Sequence, residues 1–183
     1  MKTSMKFWQK VLLLGAVVLL LTGCWPVPWL SKRIVTPLAT PAPAERSFTL
    51  IEVLPPDGEL VDVLRTRAHQ AFAAQRPPYV YVYADWCAPC RSLRASLDNL
   101  LMQDALANTT IIQVNYDMWQ ASLEQAGFHI AAIPLIAEIN RAGQPTGRFI
   151  TGSAWGEDIP QNMAPPLKQF FQGNLNNQSH ASG

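Results

Sequence analysis

The alternation of apolar and polar positions divides most of the chain into short blocks with recognisable periods. Ser47 to Leu54 (SFTLIEVL) reads as a short strand that stops at Pro55-Pro56. Asp57 then stands where a helix N-cap belongs, and Leu60, Val63, Leu64, Ala68, Ala71 and Phe72 recur at helical spacing as far as about Gln75. Pro77-Pro78 breaks that helix. Tyr79 to Ala84 (YVYVYA) is aromatic and β-branched throughout, the composition of a strand buried on both faces. Leu93, Leu97, Leu100 and Leu101 mark one helix lasting to about Leu106, and TTIIQVNYD, from Thr109 to Asp117, gives another buried strand. Gln120 to Gly127 is a short helix with Leu123 and Ala126 inward, and Leu135 to Ile139 is a strand. The turn Asn140-Arg141-Ala142-Gly143 leads into GRFIT, so the last two strands form an antiparallel hairpin. Pro165, Pro166, Leu167, Phe170 and Phe171 point to a closing helix with its prolines in the first turn. The order βαβαβαββα describes one α/β sandwich domain.

The front of the chain follows another pattern. Lys2, Lys6 and Lys10 precede an apolar run from Val11 to Leu21 that is too short for a span of about 20 residues. This is the form of a secretory signal. An uncleaved anchor extended through WPVPWL is the alternative, against which its two prolines argue. Leu21-Thr22-Gly23-Cys24 resembles the bacterial lipobox, which implies a signal peptide over 1–23 and a lipidated Cys24 at the mature N-terminus. Thioether lipidation would remove Cys24 from redox chemistry. Trp25 rather than Asp after that cysteine implies, by the same resemblance, no retention at an inner membrane where a cell has two. Prolines 26, 28, 37, 41 and 43 make 24–46 an extended, semi-rigid tether, and the polar end over 176–183 reads as a loose tail. The folded domain is therefore expected over 47–175.

At 183 residues, 49% hydrophobic and 15% charged, the chain has enough apolar material for a single core. Loss of the signal leaves 11 basic against 13 acidic side chains, and no basic patch argues for nucleic acid. Lys32 and Arg33 lie near the expected anchor, where two loop charges are ordinarily just solvated.

The chemistry concentrates in YADWCAPCRSL, from Tyr83 to Leu93. Cys87 falls at the start of a helix, where unpaired N–H groups and the positive end of the dipole lower a thiol pKa from its free value of about 8.5. Cys90, one turn on, lies on the same face and deeper, within reach of a disulfide. Ala88 and Pro89 form the active-site loop between the sulfurs and restrict it. Zinc is the competing reading, but it needs three or four ligands, and His69, His129 and His180 are scattered. A purely structural pair is weaker still, because so short a loop stabilises little. The pair calls for no metal and no cofactor.

Together, ADWCAPCR, VNYD and AAIPLI resemble the thioredoxin superfamily over most of Ser47 to Leu175, with the active-site stretch most similar to the C-terminal domain of the electron relay DsbD. The resemblance implies a thioredoxin-like sandwich, a central mixed sheet flanked by helices. It also implies that Ile133-Pro134 is a cis-proline loop beside the disulfide, with the Ile133 backbone and Trp86 lining the substrate groove. A core aromatic is the plain alternative for Trp86. Many family members carry a buried acid six positions before the first cysteine; here that position is Tyr81. Asp85, expected to point outward, and Glu138 are the candidate substitutes.

These readings lead to a membrane-tethered, extracytoplasmic thiol-disulfide oxidoreductase, on the periplasmic face if there are two membranes. Its partners would be protein disulfides or dithiols and a redox donor or acceptor protein, with reduction as the expected direction. The alternative is a non-catalytic client-binding or metal-delivery module on the same fold.

Overall fold

The computed structural model describes residues 47–173. The expected signal peptide, Cys24, the tether and the 176–183 tail lie outside the described residues. Five strands, β1 (Thr49–Val53), β2 (Pro78–Tyr83), β3 (Thr110–Asn115), β4 (Leu135–Ile139) and β5 (Pro145–Thr151), form one sheet in the order β1-β3-β2-β4-β5. β1 and β2 run parallel to β3, β4 is antiparallel to β2, and β5 is antiparallel to β4. The helices are α1 (Leu60–Ala73), α2 (Ala88–Ala95), α3 (Leu100–Ala105), α4 (Tyr116–Gln125) and α5 (Pro160–Phe171).

The period-two sequence of β2 builds both halves of the core, since successive side chains point to opposite faces. Tyr79, Tyr81 and Tyr83 pack with Leu93 of α2, Met102 of α3 and Leu167 and Phe170 of α5. Val80 and Val82 pack on the other face with Leu64 of α1 and Leu123 of α4. All six residues of β2 are buried, as its composition requires. Each fully buried aliphatic or aromatic side chain contributes about 1.5–3 kcal/mol against exposure, so β2 with its two facing layers is the centre of stability. It is also the strand that delivers the cysteine pair.

Four local expectations need correction. Pro55 and Pro56 close a separate 3-10 turn at Asp57, whose Oδ2 accepts the Leu54 N–H (2.9 Å), so Asp57 caps that turn and Glu59 is the N-cap of α1. The helix expected from the cysteines to Leu106 is two helices. Ser96 Oγ bonds back to the Ser92 carbonyl (2.8 Å), and Asn99 Oδ1 accepts the Leu101 N–H (2.9 Å) and so starts α3 afresh. Short polar side chains compete with the helical ladder in this way. The break turns Leu100 and Leu101 outward and buries Met102 and Ala105 in their place.

α4 starts at Tyr116 rather than Gln120, because Asn115, the last residue of β3, caps it through the Asp117 N–H (2.9 Å). α5 starts at Pro160, and Pro165 and Pro166 lie inside it, not in its first turn. An interior proline costs a helix about 3 kcal/mol; here burial of Met163, Ala164, Leu167 and Phe170 offsets it.

Candidate active site

β2 ends at Tyr83, and the chain turns sharply, with the Cys87 N–H donated to the Ala84 carbonyl (3.2 Å). Cys87 is the N-cap of α2, with extended backbone angles and a sulfur that accepts the Cys90 N–H (3.2 Å). Pro89 sits in the first turn, where its missing N–H costs nothing. The two cysteines form a disulfide, with their Cα atoms 5.3 Å apart. Cys90 is fully buried, and Cys87 retains 4% of its surface. Solvent and a partner can therefore reach the pair only through Cys87.

A second loop closes over that sulfur. The Ile133-Pro134 peptide is cis, and the Ile133 carbonyl oxygen lies 3.8 Å from Cys87 Sγ. The Pro134 carbonyl accepts the Gly152 N–H (3.2 Å), and a Cβ on Gly152 would stand 3.1 Å from Pro134 Cδ. Trp155, just beyond, is buried in the cluster that holds both cysteines, and its indole donates to Asp158 (2.9 Å). Neither Gly152 nor Trp155 was singled out in the sequence, where "TGSAW" looks like an ordinary strand end. Their proximity to Pro134 depends on the β4-β5 pairing. Trp86 is 64% exposed, which rules out the core-aromatic alternative. Its Nε1 is held 3.1 Å from both carboxylate oxygens of Asp117, at the start of α4. Asp117 belongs to the VNYD stretch, but its contact could not be read from spacing.

Beneath Cys90 lies tyrosine, not an acid. The Tyr81 hydroxyl donates to the Cys90 carbonyl (3.2 Å), and burial raises its pKa far above the ordinary 10, against a small lowering by Arg94. The Tyr83 hydroxyl donates to Glu52 (2.7 Å); burial first, then this carboxylate, push it up to about 12. Tyr79 is also pushed up to about 12, by burial and then by Glu138. Asp85 is exposed and paired with Arg94 (3.2 Å). Glu138 is not a neighbour of the cysteines. It stands opposite Tyr79 at the far end of β2, roughly 13 Å of strand from Tyr83, and is bound to Arg148 (3.0 Å) and Thr146 (2.9 Å).

The three phenols fix an alkaline limit. A group whose folded pKa is raised contributes stability that is complete below the unfolded value of about 10 and lost as pH rises through the folded value. Unfolding by denaturant, followed by circular dichroism, should show constant stability to pH 9.5 and a steep fall between pH 10 and 12. Phenolate absorbance at 295 nm should rise with the unfolding; titration of all tyrosines near pH 10 in the folded protein would contradict the burial argument.

A disulfide at the mouth of a βα corner, faced by a cis-proline loop, defines a thioredoxin-type site. The family model described as Thioredoxin matches residues 61–164, and the chain belongs to that family. It is 30% identical over 77 residues to the thiol:disulfide interchange protein TxlA of Synechococcus elongatus, a match that covers 42% of this chain and 40% of TxlA. This chain thus spans less than half of that relative's length. Among solved structures it resembles Trxlp from Edwardsiella tarda (27% identity, 67% of this chain and 98% of that one, TM-score 0.43). It also resembles a disulphide isomerase from Xylella fastidiosa (19% identity, 75% and 95%, TM-score 0.41).

Proposed function

We propose that this protein is a thiol-disulfide oxidoreductase that works through Cys87 and Cys90. The observation that carries the reading is the Cys87–Cys90 bond at the start of α2, with Cys87 keeping 4% of its surface and Cys90 fully buried. In the reducing direction, Cys87 thiolate attacks one sulfur of a partner disulfide. A Cys87–partner bond forms, and the partner's other sulfur leaves as a thiolate that takes a proton from water. Cys90 then loses its proton and attacks the Cys87 sulfur, the Cys87–Cys90 bond forms, and the second partner sulfur leaves. Two electrons pass to the partner, and a dithiol donor must restore them.

Trp86, Ile133 and Pro134 form the docking rim. An extended substrate segment would pair with the Ile133 backbone, and Ala88-Pro89 would keep the loop tight. Lipidation at Cys24 and the Pro-rich 24–46 segment would hold the domain outside the cytoplasm on a bacterial membrane, where a donor across that membrane would supply electrons. The lipobox-like Leu21-Thr22-Gly23-Cys24 supports that placement.

Insulin reduction with dithiothreitol, together with a glutathione titration of the Cys87/Cys90 pair, tests the activity. Catalysed precipitation of the insulin B chain and a potential below about −200 mV are expected for a reductase. No turnover with any donor, together with stoichiometric metal uptake, would favour a binding or delivery module. Intact mass of protein extracted from membranes, with acyl groups on Cys24, tests the anchor.

A further inference from the structure

The turn before Cys87 is held from one side by two cations of α2. Arg91 donates its main-chain N–H to the Cys87 carbonyl (3.1 Å), and its Nη1 donates to the Asp85 carbonyl (2.8 Å). Both ends of this residue are therefore tied to the segment that carries Cys87, its guanidinium to a carbonyl two residues before that cysteine. Arg94 lies one turn further on. It binds the Asp85 carboxylate (3.2 Å) and rests over the Tyr83 ring (4.6 Å). The acid in the turn is thus paired with Arg94 while staying exposed, and the Arg91 guanidinium is held by a neutral carbonyl.

We propose that Arg91 and Arg94 are positioning residues that together raise the thiolate fraction of Cys87, Arg91 by its pinned charge and Arg94 by neutralising Asp85. This rests on the assignment of Cys87 as the attacking sulfur. The other charged groups around the corner have partners of their own: Asp117 of α4 accepts from Trp86, Asp158 beyond β5 accepts from Trp155, and Glu52 of β1 accepts from Tyr83. Tyr81 and Tyr83 are neutral wherever Cys87 titrates. Those carboxylates are bonded to neutral donors, and the helix terminus and these two arginines supply the positive side of the balance at the sulfur. The same contacts hold the turn that carries Trp86, so the clamp also fixes one wall of the docking rim.

The test is the iodoacetamide alkylation rate of Cys87 against pH, in the reduced full chain, resolved from Cys24 and Cys90 by peptide mass spectrometry. Arg91→Ala should raise the Cys87 pKa by about 0.5–1 unit, which slows alkylation at pH 6 about three- to tenfold. Arg91→Lys should recover most of the rate, and 0.5 M KCl should shrink the difference. Arg94→Ala should shift the pKa the same way by uncovering Asp85, and adding Asp85→Asn to it should reverse the shift. A purely structural role predicts no such reversal and no salt dependence. Folded Arg91→Ala and Arg91→Gln proteins that titrate within 0.2 unit of the parent would overturn the proposal, as would an Asp85→Asn change that fails to rescue Arg94→Ala. If the shifts appear but insulin is not reduced, the clamp stands and the oxidoreductase reading fails.

Discussion

Cys87→Ser should abolish disulfide turnover, by about a thousandfold or more, as removal of a nucleophile generally does. Cys90→Ser should instead accumulate protein-sized covalent adducts on Cys87. The asymmetry follows from burial. Cys87 keeps a small exposed edge beside the Ile133 carbonyl, while Cys90, within α2, is fully buried and can reach only its neighbour. With Cys90 as serine, the first exchange proceeds and the second has no thiol. Non-reducing gels of cells expressing each variant, probed for this chain, read the result directly. Equal trapping by both variants would contradict the order of attack, and trapping by Cys87→Ser alone would reverse it.

Gly143→Ala should be among the most destabilising single-methyl additions in the domain. Gly143 has φ +77 in the β4-β5 turn, and an added Cβ would lie 2.6 Å from the Arg65 nitrogen and 2.8 Å from the Leu64 carbonyl carbon of α1. Those atoms are helix backbone and cannot rotate aside. The left-handed conformation alone costs an L-residue about 1–2 kcal/mol, and displacing α1 from the turn brings the total to about 3 kcal/mol or more. For a domain of this size that is a fall in Tm of about 10 °C or more. Gly147→Ala is the control, because Gly147 has φ +91 but nothing within 4 Å of the added atom. It should lose only the conformational share. Thermal melts of the two variants separate backbone contact from backbone conformation; equal losses would show that the packing of the turn on α1 contributes nothing.

Elements with a clear period were legible before any coordinates. The alternating YVYVY stretch required a strand with two buried faces, and the Leu60-to-Phe72 spacing required an amphipathic helix; both lie within two residues of the expected bounds. Boundaries failed where a local polar contact outweighed periodicity. Asn99 and Asn115 each start a helix by accepting an N–H two residues on, and Asp57 caps a turn the prolines had already formed. The prolines of α5 were misplaced for the converse reason. They favour a first turn in isolation, but burial of the residues around them holds the helix through them.

The site divides along the same line. The cysteine spacing, the helix that follows and the identity of Tyr81 are local properties, so the chain order alone brought a thiol pair to a helix start and put a phenol six positions before the first cysteine. The contact of Cys87 with Ile133, the hold of Asp117 on Trp86, the closeness of Gly152 to Pro134 and the removal of Glu138 from the centre join residues 18 to 46 positions apart or depend on strand register. Periodicity carries no information at that range. Those partners were decided only when the sheet set which strand ends meet, because a side chain's direction is fixed by its own element but its neighbour is fixed by packing.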